Sequence, residues 1–241
     1  MELYDNQVHF WFTPLGERDP RIPALARLLS VEETRRAERF HFNRDRASYI
    51  MSHGVLRQLL ARYTSVDPRD IEFTTGPYGK PSLSPVCGDV SLQFNMSHTG
   101  GLAVYAVTRN RRIGVDVERV DREIRDRDTI AADYFSPAEA EVYGTLPEEE
   151  KVEGFFNCWT RKESYLKAKG DGLSSPLDSF EVTLRPGDPA RLLVVQEGRA
   201  EDWSMVALEP VDDYIAAITA EAAWQLIDLG EFHSDVDLSR T

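Results

Sequence analysis

Hydrophobic and polar positions change their spacing several times along the chain, and each change predicts a separate element. A β-branched and aromatic run at Val8–Phe12 predicts a strand. Ser30 and Glu33 have the spacing of a capping box, so we expect a helix over Val31–Phe40. Apolar residues at helical spacing predict a longer helix over Arg44–Tyr63.

The rest of the chain continues in the same alternating way. A turn-rich loop at Gly76–Pro81 separates the first helices from short strands, and another strand is predicted at Ile113–Val117. A long helix is predicted over Glu149–Lys169, and Gly170 is expected to end it. The remaining predicted elements are strands near Leu92–Asn95, Leu102–Thr108, Ser179–Leu184, Leu192–Val195, Trp203–Leu208 and Tyr214–Thr219, and helices near Thr129–Tyr134 and from Pro137.

Helices and strands in two clusters predict an α+β fold with two similar lobes. We place the first lobe at residues 1–112 and the second at 113–222, although no sequence repeat proves a duplication. Residues 223–241 are acidic, and we expect them to form a loosely packed tail.

Composition and charge exclude several classes of protein. The formal net charge of −13 disfavours nucleic acid as the main partner, because binding phosphates along a polymer needs concentrated Lys and Arg. No apolar run approaches the ~20 residues that cross a bilayer, and the N-terminus has no signal-peptide pattern. Two cysteines suggest neither a disulfide framework nor a metal site. We therefore expect a cytoplasmic protein without a membrane partner.

A local basic stretch contrasts with the acidic chain. Residues Thr34–Arg46 contain five arginines and two acids. Guanidinium groups bind phosphate well, so the stretch suits a small phosphorylated ligand. A solvated helix face with compensating ion pairs explains it equally well.

Two acids share one face of a predicted strand. Asp116 and Glu118 are two residues apart, which places them about 7 Å apart along a strand. Neighbouring carboxylates repel each other unless a cation lies between them, and Mg²⁺ is bound by such oxygen ligands together with substrate phosphates. The alternative is an edge strand with a polar outer face.

Other polar residues are weaker candidates. Ser97 and His98 lie at a strand end before a glycine pair and could hold an anion, but adjacent strand residues point to opposite faces and make a poor nucleophile–base pair. Ser136 and Glu139 form a capping box, which explains Glu139 without chemistry.

The predicted long helix carries an aromatic, an acid and a base on one face. Trp159, Glu163 and Lys167 are each four residues apart. They form either a buried anchor with a surface ion pair, or an acid and a base presented to a substrate.

Several motifs occur in a fixed order along the chain. They are Phe94–His98, Ile113–Glu118, Phe135 and Ser136 with Glu139, Trp159–Lys167 and Gly170–Leu173, together with Gly79–Pro81 and Pro176–Asp178. In this order they resemble the motifs of the 4′-phosphopantetheinyl transferases, and the length and layout resemble the larger surfactin-synthetase-activator type. The likeness covers about residues 30–220. Each motif alone is weak, but five in register are highly specific.

This resemblance implies a fold and an activity. The fold would have two α/β lobes related by pseudo-two-fold symmetry, with the active site in the cleft between them. The activity would be transfer of the phosphopantetheine arm of coenzyme A to a serine hydroxyl of an apo acyl or peptidyl carrier protein, releasing adenosine 3′,5′-bisphosphate. We expect a monomer with Mg²⁺ as its cofactor.

The resemblance also implies roles for individual residues. Asp116, Glu118 and Glu163 would bind Mg²⁺, with Glu163 as the base and Lys167 at the leaving phosphate. The coenzyme A contacts would come from Arg36, Arg44, Gly79, Lys80, Ser97, His98, Lys162 and Lys167. Arg36 and Arg44 would meet the 3′-phosphate, Lys162 and His98 the other phosphates, and Gly79 and Lys80 the adenine side.

One departure and two alternatives remain open. Glu33 is acidic where some relatives have a basic residue, which moves the expected 3′-phosphate contact towards Arg44. A Mg²⁺-dependent pyrophosphate-cleaving hydrolase would use similar acids. A non-catalytic protein that binds coenzyme A or a carrier would keep the arginines but tolerate loss of Lys167.

Overall fold

The structure is a computed structural model, and it describes residues 1–120, 124, 126–170, 172 and 175–234. Asp171 and Leu173 of the Gly170–Leu173 motif lie outside the described residues, as do residues 235–241. The helices are α1 (Ile22–Ala26), α2 (Val31–Glu38), α3 (Asn43–Thr64), α4 (Arg127–Tyr134), α5 (Pro137–Gly144) and α6 (Glu148–Lys169). The strands are β1 (Gln7–Pro14), β2 (Phe73–Thr75), β3 (Pro81–Leu83), β4 (Leu92–Thr99), β5 (Leu102–Arg109), β6 (Ile113–Arg119), β7 (Glu181–Val182), β8 (Leu192–Val194), β9 (Trp203–Leu208), β10 (Tyr214–Glu221) and β11 (Gln225–Glu231).

Two three-stranded antiparallel units have the same topology. In the first lobe, β5 lies between β1 and β4 and pairs with both. In the second lobe, β10 lies between β6 and β9 and again pairs with both. A helix of 22 residues belongs to each lobe, α3 in the first and α6 in the second. These units confirm the predicted α+β fold of two similar lobes.

The inner faces of the two sheets pack against each other. Alternate residues of β1 and β5, such as Phe10 and Val104, enter one apolar cluster with Val115 of β6 and Ile218 of β10. The opposite face of each sheet packs on the helices of its own lobe. Because strand side chains alternate between faces, one strand contributes both to the core of its lobe and to the contact between lobes.

A glycine lets α6 lie directly on β6. A Cβ atom at Gly114 would stand 2.1 Å from the carbonyl oxygen of Ser164 and 2.4 Å from the amide nitrogen of Ala168. No side chain fits at that distance, so this position requires glycine if the backbones are to remain in contact. The helix and strand are thereby held at backbone contact next to the acids of β6.

The C-terminal region corrects the expectation of a loosely packed tail. Residues Gln225–Glu231 form β11, which pairs in parallel with β1 and extends the first-lobe sheet to four strands. Phe232 is fully buried and packs edge-on against Trp11 with ring centroids 5.6 Å apart. The segment therefore returns to the first lobe and pairs with β1. The sequence contains no strong signal for this pairing.

Other differences between prediction and structure are the short elements α1, β2 and β3, which the sequence analysis did not predict, and the ends of several elements. The strand predicted at Ser179–Leu184 is reduced to Glu181–Val182, because Leu177–Ser179 forms a turn of 3₁₀ helix. Gly170 ends α6 as expected, with a left-handed backbone and its N–H bonded to Leu166. No helix in the described part of the chain is long and apolar enough to cross a membrane.

The acid at position 33 is used for stability. Ser30 and Glu33 form the predicted capping box, and the Glu33 carboxylate also accepts a hydrogen bond from the buried Arg57 at 2.8 Å. Burial acts to raise the pKa of Glu33, but hydrogen bonds from His53, Ser30 and Arg57 outweigh it and lower the pKa to about 2. This residue is therefore turned into the lobe and does not extend the basic surface.

We predict that Glu33→Gln keeps the capping box but lowers the free energy of unfolding at pH 7 by about 2 kcal/mol, after allowance for solvent screening. The native pKa of about 2 lies below the ordinary value of 4.5, so the charged carboxylate stabilises the fold above pH 4.5. That contribution is lost as the pH falls from 4.5 towards 2. The free energies of unfolding of the wild type and of Glu33→Gln should therefore become equal near pH 2. Urea unfolding at several pH values measures this, and a difference that does not depend on pH would contradict it.

Candidate active site

The acids of β6 face α6 because of the strand alternation. Val115 and Val117 point into the contact between lobes, so Gly114, Asp116 and Glu118 lie on the opposite face. Asp116 is buried, with 5% of its surface exposed. A buried carboxylate needs a partner, and α6 supplies one.

Lys167 and Ser97 form a tight cluster with Asp116. One carboxylate oxygen, Oδ1, accepts hydrogen bonds from Lys167 Nζ at 2.6 Å and from Ser97 Oγ at 2.8 Å. Lys167 Nζ also donates to Ser97 Oγ at 2.9 Å. The second oxygen, Oδ2, is buried and has no hydrogen-bond partner in the structure. An orphaned carboxylate oxygen in such a place is available to a further cation or donor.

Side chains of alternate β4 residues form hydrogen bonds with β6 and its acids. Asn95 Oδ1 accepts from the amide of Val115 at 2.8 Å, and Thr99 Oγ1 donates to Glu118 at 3.1 Å. With Ser97 between them, these residues run along β4 with the period of a strand. The first lobe therefore holds the acids of the second lobe in place by hydrogen bonds across the lobe boundary.

Glu163 completes a concentration of negative charge. Burial raises the pKa of its carboxyl above the ordinary value, and the charges of Asp116 and Glu118 raise it further, with Lys167 acting in the opposite direction. A raised pKa makes this carboxylate a stronger base than an exposed one. It also means that an added cation would be stabilised here.

The donor set is suitable for magnesium, although the side chains do not form a closed metal cage. Within the described residues, no group of three or more His, Cys, Asp or Glu side chains is arranged to hold a metal. Mg²⁺ commonly takes only one or two carboxylates and completes its shell with waters and substrate phosphates. The free Oδ2 of Asp116 and the neighbouring carboxylates of Glu118 and Glu163 fit that pattern.

Two pockets open on either side of this cluster. The first, of about 300 Å³, contains Glu163 and Lys167 in its lining, together with Tyr78, Gly79 and Lys80. The second, of about 650 Å³, lies next to Thr99. It is lined by Leu15, Glu17, Phe40, Arg44, Asp45, Ser48, Tyr49, His98, Thr99, Gly100, Gly101 and Arg119. The acids thus lie between two spaces large enough for parts of a ligand.

Lys80 ties the first pocket to the second lobe. Its Nζ donates to the carbonyl oxygens of Ile113 at 2.8 Å and Ala168 at 3.2 Å. Burial is the main cause that lowers the pKa of Lys80 to about 8, and the charge of Arg112 adds to it. The loop residue before it, Gly79, has a φ of +84°, which favours glycine.

The second pocket collects other residues singled out in the sequence. His98 and Arg44 lie in its wall, and Arg36 stands over the ring of Tyr49, another wall residue, with Cζ 5.6 Å from the ring centroid. Burial lowers the pKa of His98, with smaller contributions from His53 and Lys167, and this favours the neutral ring. Arg44 is largely exposed and pairs with Asp45.

Lys162 does not reach either pocket, and the expectation that it contacts a phosphate is wrong. Its side chain is 1% exposed, and Nζ forms an ion pair with Glu139 at 2.7 Å. The same amine donates to the carbonyl oxygens of Leu177 and Phe180. Glu139 in turn caps α5 and accepts from the amide of Val182, so the pair holds β7 to the helices.

Trp159 packs inside the second lobe. Its ring is stacked with Phe155, with centroids 6.0 Å apart, and meets Tyr134 edge-on at 6.2 Å. The helix face with Trp159, Glu163 and Lys167 therefore combines an anchor with two groups at the cluster.

Three residues near the site lack a strong signal in the sequence. Asn95 and Thr99 flank Ser97 at strand spacing, and the period of β4 is the one feature that indicates their common face. Tyr49 is buried in the middle of α3 among apolar residues, so its position in the pocket wall depends on packing.

Comparisons with known proteins agree with this arrangement. A family model of the 4′-phosphopantetheinyl transferase superfamily matches residues 112–219, and a model of the 4′-phosphopantetheinyl transferase N-terminal region matches residues 18–110. The 4′-phosphopantetheinyl transferase HetI of Nostoc sp. is 38% identical over 226 residues, which cover 93% of this chain and 92% of that protein. This chain belongs to the 4′-phosphopantetheinyl transferase superfamily.

Further relatives carry the same description. A 4′-phosphopantetheinyl transferase of Bacillus subtilis is 34% identical over 170 residues, which cover 70% of this chain and 71% of that protein. The 4′-phosphopantetheinyl transferase Sfp of Bacillus subtilis strain 168 is 33% identical over 65% of this chain and 66% of that protein. This chain is therefore an enzyme of the transferase class.

We predict that Lys162→Ala lowers the free energy of unfolding of this phosphopantetheinyl transferase by about 3–5 kcal/mol, because Glu139 is left as a buried, unpaired charge. Combining it with Glu139→Gln should restore part of the loss. Urea unfolding of the single and double variants measures this. A fully stable Lys162→Ala variant with weakened coenzyme A binding would instead place the amine at a phosphate.

Proposed function

We propose that this protein transfers the 4′-phosphopantetheine group from coenzyme A to a serine hydroxyl of an apo acyl or peptidyl carrier protein, giving the holo carrier and adenosine 3′,5′-bisphosphate. The observation that carries the proposal is the cluster of Asp116, Lys167 and Ser97 with Glu118 and Glu163 alongside, between two pockets. The cluster provides the Glu163 carboxylate as a base, the ammonium group of Lys167, and the unsatisfied Oδ2 of Asp116 at the place where a pyrophosphate would lie.

Magnesium is the proposed cofactor. Asp116, Glu118 and Glu163 would hold it, with the orphaned Oδ2 of Asp116 as one ligand atom. When bound, the ion would offset negative charge on the pyrophosphate oxygens as the phosphoryl group is transferred. Burial is the main cause that raises the pKa of Glu163, and the repulsion from Asp116 and Glu118 that adds to it supports cation binding at this point.

Glu163 is the proposed general base. The serine hydroxyl would lose its proton to this carboxylate, either directly or through a water, as the serine oxygen forms a bond to the β-phosphorus of coenzyme A. The bond from that phosphorus to the bridging oxygen breaks, and the leaving group is adenosine 3′,5′-bisphosphate. The side chain of Glu163 lines the first pocket beside Lys167, where a substrate hydroxyl can approach it.

Lys167 is proposed to act on the leaving phosphate. Its amine lies 2.6 Å from Asp116 and is 28% exposed at the edge of the first pocket. A flexible ammonium at that edge can turn to a phosphate oxygen and stabilise its developing charge, or protonate it.

The two pockets are proposed to share coenzyme A. Gly79 and Lys80 would line the adenine side, and Ser97 and His98 would contact phosphates. Arg44 and Arg36 would meet the 3′-phosphate. Glu33 takes no part in this assignment, since its carboxylate is committed to Arg57 and the capping box.

The setting and assembly are also proposals. The site is completed within one chain, because Ser97 and Thr99 come from the first lobe and the acids from the second. This supports a monomer. The charge of −13 supports a protein partner rather than nucleic acid, and we propose a cytoplasmic location without a membrane partner.

We predict that the protein, coenzyme A and Mg²⁺ together make an apo carrier heavier by one phosphopantetheine. Glu163→Gln should lower the rate about a hundredfold or more, since it removes the base, and Asp116→Ala should remove the metal and Lys167 contacts. Glu141→Gln, on the exposed face of α5, is the matched control and should keep full activity.

Intact-mass spectrometry across a panel of apo carriers measures the modification, and thermal unfolding verifies that each variant is folded. Absence of a mass shift with every carrier would exclude the transferase, and turnover retained in Glu163→Gln would exclude this base. Release of adenosine 3′,5′-bisphosphate without any carrier would point to a hydrolase.

We predict that Lys167→Ala loses transfer while it still binds coenzyme A, because the amine acts on charge that develops during the reaction. Calorimetric titration and single-turnover kinetics separate the two effects. Lys151→Ala, near the start of α6, removes the same charge outside both pockets and should retain transfer. Undiminished transfer in Lys167→Ala would show that Lys167 takes no part in the reaction.

A further inference from the structure

A surface of the first lobe combines positive charge with exposed aromatic rings. It consists of Arg35, Arg39, Phe40, Phe42 and Arg46, and we name it the basic–aromatic face. All five residues are exposed, Phe42 by 62% and Phe40 by 37%. The residues come from the last turns of α2, the connection to α3 and the first turn of α3.

Folding alone does not explain Phe42. It occupies the N-cap position of α3 with an extended backbone and makes no side-chain cap hydrogen bond. Ser, Thr, Asp or Asn stabilise that position far better, by accepting a hydrogen bond from the first turn. The ring of Phe42 meets the ring of His41 edge-on but remains 62% exposed, so together with Phe40 it leaves apolar surface open to a partner.

The arginines of the face keep their charge available. Among the described residues, Arg44 of this stretch forms an ion pair with its neighbour Asp45, outside the face itself. Arg39 donates to the carbonyl oxygen of Arg35, which leaves both guanidinium charges uncompensated by that bond. The stretch therefore presents a positive surface on a chain with a net charge of −13.

The face borders the second pocket and through it the acids. Phe40 lines that pocket, and Thr99, which donates to Glu118, lies in the same lining. A protein bound on the face would stand beside the opening that leads to Glu118 and Asp116. A large ligand that must place one hydroxyl near these acids can therefore use this face as its support.

Charge selects the kind of partner. Screening limits surface electrostatics to about 8 Å at physiological ionic strength, so a partner senses the local face more than the distant negative surface. An acidic protein surface is repelled by most of this chain and attracted here, which also fixes its orientation. The aromatic rings add apolar contact area at the centre.

We propose that the basic–aromatic face docks the acidic surface around the acceptor serine of the carrier protein. The inference rests on the proposed transferase function and names the docking site of its protein substrate. It separates the two substrates in space, with the carrier on the rim formed by α2 and α3 and coenzyme A in the pockets.

The test is the double variant Arg35→Glu and Arg39→Glu, compared with the double variant Arg191→Glu and Arg199→Glu. The control arginines are exposed on the second lobe and line neither site pocket. Steady-state transfer to an acidic apo carrier is measured at varied carrier and varied coenzyme A. We expect the test variant to raise KM for the carrier about tenfold, with KM for coenzyme A and kcat at saturating carrier unchanged.

Two further measurements sharpen the result. Phe42→Ser should also raise KM for the carrier, and added salt should weaken the wild type more than the Arg35→Glu and Arg39→Glu variant. A carrier whose two carboxylates nearest the acceptor serine are changed to lysine should recover transfer by that variant. Thermal unfolding of each variant confirms that it is folded.

Three results would overturn the proposal. An unchanged KM for the carrier would show that the basic–aromatic face does not bind the carrier. A raised KM for coenzyme A instead would show that this face binds the nucleotide. A loss of carrier affinity in Tyr134→Ser, but not in the arginine variant, would move docking to the exposed ring of Tyr134 on the second lobe. Failure of the wild-type protein to modify any carrier is a different result, which would refute the function itself.

Discussion

The backbone contact between β6 and α6 is the constraint on which the site depends. Gly114 allows the strand to touch the helix near Ser164 and Ala168, and any larger residue would push the helix away. Asp116 is the next residue on the same face of β6, so the contact places its carboxylate within reach of Lys167. A separation larger by the width of a side chain would break this ion pair and leave a buried, unpaired carboxylate.

Charge balance explains why both lobes are needed at this point. Lys167 offsets part of the negative charge of Asp116, while Ser97 and Thr99 on β4 hydrogen-bond to the acids from the other lobe. The apolar contact between the inner faces of the two sheets holds these elements in register. Burial is the main cause that raises the pKa of Glu163, and incomplete compensation of the charges of Asp116 and Glu118 raises it further. The same incomplete compensation makes the site receptive to a cation and to a proton.

Local patterns predict much of the fold, because they act over a few residues. The capping boxes at Ser30 and Ser136, the left-handed Gly170 and the alternation of β6 are each visible in short stretches, and each is present in the structure. The return of Gln225–Glu231 to β1 is not visible in this way, because it pairs residues more than 200 positions apart. Strand pairing over that distance is decided by which sheet edge is left open.

Lys162 and Lys167 of α6 show what the sequence leaves open and the tertiary structure decides. The sequence by itself determined that the chain is a two-lobed α+β protein, that Asp116 and Glu118 share a face, and that Glu163 and Lys167 share another, since these follow from strand and helix periods. The resemblance implied phosphate contacts for both Lys162 and Lys167, although only Lys167 shares the helix face of Glu163. Packing decided between them, because β7 and α5 enclose Lys162 with Glu139, whereas Lys167 faces β6 and the pocket. Long-range contacts assign each charged side chain its partner, and that assignment exists only once the lobes are folded together.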